Sequence, residues 1–411
     1  MNRRRFILGA AAAAALLGAG GTALARRTLW NPCRASLPPE IASHDVVRAA
    51  WQGLNADQVW DCHAHLAGIG DGGSGVTITP RMLSPLHPTE YFQRLFYLNA
   101  GCAHETPGRV DQSYVERLHN LADGMHTGFK LMLLAFERTH DEHGQPRPEL
   151  TAFHIPDAYA RDVARTHPAY FEWACSIHPY RPDCVEALEA AAHDGARAVK
   201  WLPPAMGIDP ASPACDRFYT ALARLDIPLI THAGEEKAVH GAGQPAWGNP
   251  LRLRRALDHG VRVVIAHCAS LGEDQDEDWG RDGPRVSSFS LFSRLMGEQR
   301  YARLLFGDIS AINLRNRDLG VIRHLLERED WHPRLLFGTD YPLPGILPLV
   351  SARQLAREKL LDPAAVPVLE TLREHNPLLF DFVLKRHLRS GHRHFAPGVF
   401  ETRHFFDRKP A

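Results

Sequence analysis

Eight short apolar runs rich in β-branched residues recur along the chain, each followed by a stretch with helical spacing, and this alternation restricts the fold more than any other feature. The runs cover residues 59–66, 128–136, 171–177, 196–202, 227–232, 261–267, 304–309 and 335–340. Helices are predicted between them at 111–125, 156–166, 183–193, 213–225, 250–259, 288–298 and 318–328. Pro156, Pro182, Pro213 and Pro250 stand at or near the helix starts, and Gly124, Gly195 and Gly260 just past helix ends, the usual punctuation of such elements. Eight βα units suit a closed (β/α)8 TIM barrel better than a doubly wound sheet. A single barrel of about 250 residues, with elaborations, accommodates a chain of 411.

The barrel is assigned to 59–390, with an N-terminal extension at 26–58 and a C-terminal tail at 391–411. Residues 67–109, between the first two strands, form an insertion that would lie over the barrel mouth as a lid. Its Gly70 to Gly75 cluster lacks the Gly-Lys-Ser/Thr ending of a phosphate-binding loop and reads as a flexible segment. The acidic run from Asp274 to Asp278 starts like a calcium loop. It then fails, with Trp279 where the turn needs Gly and Arg285 where a bidentate Glu is needed.

The first 25 residues fall outside the fold. Asn2-Arg3-Arg4-Arg5-Phe6-Ile7 followed by an Ala/Leu/Gly run ending at Ala25 looks like a twin-arginine signal, which implies passage through the twin-arginine export machinery and a periplasmic or exported product. An uncleaved membrane anchor is the alternative, although the Ala and Gly content of the run is poor for one. Lys plus Arg equals Asp plus Glu at 47 each, so no global field draws the chain to nucleic acid, and recognition of a small-molecule substrate must be local. Seven cysteines without a C-x-x-C pair do not suggest a disulfide framework; Cys62, Cys175 and Cys268 read as small core residues.

In Asp61-Cys62-His63-Ala64-His65 the two histidines are two apart on a predicted strand, so both rings face the same way and reach one point. By itself this pair fits a metal site or an ordinary surface strand. Other runs end in residues able to bind a metal: Lys200, His232, His267 and Asp340. Strand C-termini of a parallel barrel share one rim, so these residues, with His63 and His65, would converge there.

With those motifs the sequence resembles the amidohydrolase superfamily, within it the group of metal-dependent hydrolases related to aminocarboxymuconate semialdehyde decarboxylase. The motifs are Asp61 to His65, Val199-Lys200-Trp201-Leu202-Pro203, Thr231-His232-Ala233-Gly234, Ala266-His267-Cys268, Phe337-Gly338-Thr339-Asp340-Tyr341-Pro342 and His375-Asn376-Pro377-Leu378-Leu379-Phe380. The resemblance implies that His63, His65, His232 and Asp340 hold a catalytic divalent ion, usually zinc, with His267 beside it. In one branch of the superfamily a lysine placed like Lys200 is carboxylated and bridges two ions, with the histidine at His267 joining the second. One metal is the preferred reading here and two the alternative.

Zinc with nitrogen and oxygen ligands activates water near neutral pH. Asp340 is then the candidate base, and His267 the group that polarises a substrate carbonyl. His178, Trp201, Glu235, Glu236, Asp308 and Tyr341 follow strand ends and are candidates for lining the substrate pocket. Trp201 departs from the histidine often found after the lysine in similar proteins. The expected activity is hydrolysis of a C–N or C–O bond in a small carbonyl compound. The alternatives are a lyase that decarboxylates or hydrates a conjugated carboxylic acid, for which Arg81, Arg315 or Arg317 could bind the carboxylate, and an exported metal-binding protein without turnover.

Overall fold

Each of the eight apolar runs contains a parallel strand in the computed structural model, which describes residues 29–407 apart from 104–105, 238, 240–243 and 281. We number the strands β1 (Trp60–His65), β2 (Lys130–Leu134), β3 (Phe171–Ala174), β4 (Val199–Trp201), β5 (Leu229–Thr231), β6 (Val263–Ile265), β7 (Leu305–Asp308) and β8 (Leu335–Leu336). They are shorter than the apolar runs. The signal-like segment at 1–25 lies outside the described residues.

β1, β2 and β3 form one parallel sheet, and β4 to β8 form a second in the order β8-β7-β6-β5-β4. Further hydrogen bonds join the two. Cys175 bridges Val199 in parallel register, and Lys200 N–H donates to the Cys175 carbonyl at 2.7 Å. On the other side Ala64 bridges Tyr341, Cys62 N–H donates to the Phe337 carbonyl at 3.1 Å, and His65 N–H to that of Tyr341 at 2.8 Å. The fold is therefore mixed α/β with parallel sheets whose hydrogen bonding passes from one to the other at both edges.

Alternation along the strands separates two apolar clusters. Met132, Leu134, Ala174, Ala198, Ile230, Val264 and Leu336 pack together with Trp60 and Cys62. Their neighbours Leu131, Leu133, Val199, Trp201, Leu229, Val263 and Ile265 join the larger cluster formed with the helices. Lys200, between Val199 and Trp201, consequently shares the side of Ala198. The β1–β2 register shifts between Asp61 and Ala64. Such a bulge re-aims side chains, and it lets His63 and His65 point to the site although Cys62 belongs to the inner cluster.

The helices fall close to their predicted spans. α1 (Val110–Asp123), α2 (Asp157–Thr166), α3 (Cys184–His193), α4 (Asp216–Leu225), α5 (Arg254–Asp258), α6 (Ser288–Gly297) and α7 (Leu319–Glu327) each follow a strand. α4 and α5 start later than expected because Pro213–Cys215 and Pro250–Leu253 wind as 3-10 turns first.

The segment between β1 and α1 holds a helix, Pro88–Ala100, that begins at a proline. Its end is held by Tyr341, beyond β8, whose Oη lies 3.4 Å from the Ala100 carbonyl, and α1 is tied to β1 by Tyr114 Oη donating to the His65 carbonyl at 2.8 Å. One departure from the sequence reading concerns the cysteines. Cys33 and Cys102 are joined by a disulfide, fastening the N-terminal extension to the end of this helix, while the other five are free and buried. The two are 69 residues apart, and only packing of the extension brings them together.

Candidate metal centre

β1 delivers two histidines and the loop after β8 an aspartate to one place. Asp340 Oδ1 lies 3.0 Å from His65 Nε2 and 3.5 Å from His63 Nε2, and its Oδ2 lies 3.7 Å from His267 Nε2. The His63 and His267 rings stack at 5.0 Å, and His232 meets His267 edge-on at 5.6 Å. Lys200 Nζ reaches His63 Nε2 at 3.1 Å. The six residues expected at a common rim are thus neighbours. The tightest group differs from the expected four: ligand atoms of His63, His267 and Asp340 lie within 4.8 Å of one another, with His65 and His232 outside that group.

Left-handed backbone helps to place two of these side chains. Asp340 has φ 60° and donates its N–H to the His63 carbonyl at 2.8 Å. His267, Cys268 and Ala269 have φ of 57°, 51° and 50°. Each such residue costs on the order of 1–3 kcal/mol and persists only where its surroundings hold it. Here the holding group for His267 is Asp308, whose Oδ1 accepts the His267 N–H at 2.9 Å. Gly338 is needed because a Cβ there would come within 2.8 Å of the His63 Cβ.

A second ring of polar groups orients the first. His63 Nδ1 bonds Asp308 Oδ2 at 2.9 Å, and His267 Nδ1 bonds Ser310 Oγ at 2.7 Å. His232 Nδ1 faces Glu236 at 3.4 Å. Asp61 ties β1 to β8, accepting the N–H of His63 at 3.0 Å and of Thr339 at 2.9 Å. In each pair the Nδ1 side is engaged, which leaves Nε2 directed at the centre, the arrangement by which carboxylates and carbonyls fix metal-binding imidazoles.

Charge states follow from burial. Burial, reinforced by Lys200, lowers the His63 pKa to about 4, so at neutral pH the ring carries a lone pair rather than a charge. Burial also lowers His232 and takes His267 well below its ordinary value. For Asp340 burial opposes ionisation, but His267, His65 and His63 outweigh it and hold the carboxyl well below the usual range. Burial likewise works against Asp308, and His63 and Ser310 overcome it. The backbone donors His267 N–H and Ser310 N–H, at 2.9 and 3.0 Å, keep it ionised without a proton from His63. Neutral imidazoles beside an ionised carboxylate are the protonation states a divalent cation requires.

The residues fit such an ion on a further ground. His232 Nε2 is buried with no hydrogen-bond partner. A buried polar atom left alone costs on the order of 1–3 kcal/mol, and a ligand that takes its lone pair removes the cost. Replacing Asp308 with Asn should weaken divalent-metal binding by roughly 10- to 100-fold, because it disturbs the tautomer and aim of His63. Competition titration with a chromophoric chelator would read this, and unchanged affinity would remove Asp308 from the supporting ring.

The other sequence candidates lie elsewhere. Trp201 points away from the site, fully buried, stacked on Phe218 at 5.5 Å and donating Nε1–H to the Ile177 carbonyl. Tyr341 is buried beside Tyr114. His178 uses both ring nitrogens within the protein, Nε2 on the Met206 carbonyl and Nδ1 accepting from Tyr180 N–H. Glu235 is exposed and pairs with Lys237 at 3.0 Å. Glu236 and Asp308 do reach the site. Ser310 was not singled out in the sequence, though it stands two residues after Asp308 and so repeats the spacing of His63 and His65.

No curated protein matches the chain. Solved structures similar to it include an uncharacterised TIM-barrel protein from Bordetella bronchiseptica, 15% identical, covering 76% of this chain and 98% of that one at a TM-score of 0.44. A 4-oxalomesaconate hydratase from Rhodopseudomonas palustris is 14% identical, with 85% and 95% covered and a TM-score of 0.42. A probable 2-pyrone-4,6-dicarboxylic acid hydrolase from Acinetobacter baumannii is 12% identical, with 80% and 99% covered and a TM-score of 0.41. These likenesses are too distant to carry a reaction across. The amidohydrolase family model matches residues 60–365, which is most of the chain and spans every residue of the centre, and the protein belongs to that family.

Proposed function

We propose that the protein is a metal-dependent hydrolase that cleaves a C–N or C–O bond of a small carbonyl compound. The observation that carries the reading is the buried, unpartnered Nε2 of His232, on a ring that stands edge-on 5.6 Å from His267 of the group His63, His267 and Asp340. His63, His65, His232 and Asp340 would hold one divalent ion, for which zinc suits the nitrogen and oxygen donors. Such an ion supplies Lewis acidity and lowers the pKa of water.

The chain's own residues do the rest. Asp340, ionised and placed between His65 and His267, accepts the proton of the attacking water and returns it to the leaving group. His267 is held through Nδ1 by the Ser310 carbonyl and Oγ, so its Nε2 faces the substrate oxygen and, once it takes a proton, stabilises the charge that develops there. Asp308 and Glu236 keep His63 and His232 aimed. Lys200 stays an unmodified amine bonded to His63, with a carboxylated lysine bridging two ions as the alternative.

The same reading takes the eight strands as a closed (β/α)8 barrel, supported by the bridges at both sheet edges, with residues 67–109 as its lid. It takes residues 1–25 as a twin-arginine signal. The Cys33–Cys102 bond supports export, since such bonds persist in oxidising compartments.

A lyase acting on a conjugated carboxylic acid is the second reading, favoured by an arginine near the centre. Arg81 and Arg315 are exposed, whereas Arg317 is partly buried beside the His267 turn. Incubation of zinc-loaded protein with small esters, amides, lactones and conjugated acids, with products resolved by mass, tests both. Hydrolysis abolished by a chelator and restored by zinc is expected. Loss of carbon dioxide or addition of water would replace the hydrolase with the lyase, and turnover indifferent to the chelator would overturn the metal mechanism.

A further inference from the structure

The turn that carries Asp340 is held residue by residue. Asp340 N–H donates to the His63 carbonyl at 2.8 Å and Thr339 N–H to Asp61 Oδ1 at 2.9 Å, so β1 fixes both. Gly338 is held by another element. Its carbonyl accepts from Lys385 Nζ at 2.7 Å, and Lys385 stands on the helix Pro377–His387. A Cβ at Gly338 would come within 2.8 Å of the His63 Cβ and 3.2 Å of the Ser310 Cβ, so this residue is wedged between a candidate ligand and the residue that holds His267. Glycine has the most permissive backbone and no side chain to lock its peptide. The direction of its carbonyl therefore depends on what donates to it.

Lys385 is fully buried, and so is its partner Asp381, one turn earlier on the same helix, whose Oδ2 receives the ammonium. Asn313 Nδ2 donates to the other oxygen, Oδ1, at 2.9 Å. Asn313 lies three residues beyond Ser310, in the loop from which Asp308 holds His63 and Ser310 holds His267. Gly338, Lys385, Asp381 and Asn313 thus tie the loop after β8 to the loop after β7. The two charges cancel, so the pair fixes geometry without adding net charge to the field at Asp340. Burying two charges is unfavourable, and such a pair is often no more stabilising than apolar side chains of the same volume. What it supplies is orientation: an ammonium offers several donors from one point, and this one directs them to Asp381 and to the backbone leading into Asp340.

We propose that Lys385, with Asp381 and Asn313, is a positioning unit that fixes the spacing of Asp340 from His63 and His267 by clamping the Gly338 carbonyl to the loop of Asp308 and Ser310. The inference rests on the metal-site reading above. It adds that the spacing of the ligands is set from the helix Pro377–His387 as well as from β1. Loss of the clamp should loosen the site while the strands stay paired.

Removing one partner would strand the other charge, so the pair is removed whole in a double variant, Lys385→Met with Asp381→Asn, which keeps the volume and leaves an oxygen for Asn313. Peptide-resolved hydrogen exchange of the metal-free protein is compared with zinc affinity, from chelator competition, and with the visible spectrum of the cobalt-loaded protein. Exchange should quicken at residues 337–342 and 308–314 and stay as in the wild type over β4, β5 and β6. Zinc affinity should fall by about 10-fold, as for other groups that orient ligands, and the cobalt bands should shift. Asn313→Ala leaves the ion pair whole and should quicken exchange at 308–314 alone; it carries the test if the double variant does not fold. Local exchange and cobalt bands unchanged in the folded variants would overturn the proposal. Protection lost evenly across the strands would overturn it too, by making the pair a general support. A wild type that takes up neither zinc nor cobalt would count against the metal centre alone, because the metal-free exchange still decides whether the clamp exists.

Discussion

Asp340→Asn should lower turnover by roughly 10²- to 10⁴-fold, the range over which a positioned general base contributes. Zinc content should fall far less. Asn keeps an oxygen where Oδ1 meets His65 and His63, and the left-handed backbone at this position is one that Asn tolerates. What it loses is the ability to take a proton. Steady-state kinetics on whichever substrate the panel reveals, paired with elemental analysis of the same preparations, separates the two effects. Retained turnover would remove Asp340 from the proton path. Turnover and zinc lost in proportion would make it a ligand only.

Replacing His63 with Ala is expected to be more destructive, since one side chain serves two purposes. Its Nε2 side belongs to the group shared with His267 and Asp340, and its Nδ1 side satisfies the fully buried Asp308. Zinc should drop from about one equivalent to none, and stability should fall by roughly 1.5–3 kcal/mol as a charge-assisted bond is lost inside the protein. Denaturant titration of the metal-free forms reads the second effect separately. Lys200→Ala is the companion variant. Zinc near one equivalent in Lys200→Ala supports a single ion with Lys200 as a neighbour of His63. Two equivalents in the wild type, falling in both variants, would instead make Lys200 a bridge.

Pattern alone located the strands and the residues that end them. An apolar run closed by His232, His267 or Asp340 is legible because a strand buried on both faces must be continuously apolar, so a polar residue at its end stands out. The same reasoning could not tell which loop residues face inward. Trp201 follows Lys200 directly, yet successive side chains on a strand point to opposite faces, and it packs on Phe218 and Tyr219 while Lys200 turns to His63. Tyr341 follows Asp340 and is likewise buried away from the centre, against Tyr114.

By itself the sequence determined the alternation of strands and helices, the set of histidines and the carboxylate that meet, and the family they imply, since these depend on spacing along the chain. Tertiary structure alone decided the rest. It paired Cys33 with Cys102, drew His267 into the tightest ligand group, set Asp308 and Ser310 behind His63 and His267, and brought Arg317 to Ser270. Each of these joins segments distant in sequence, and their contact follows from how strands curl and loops pack, for which local pattern carries no signal.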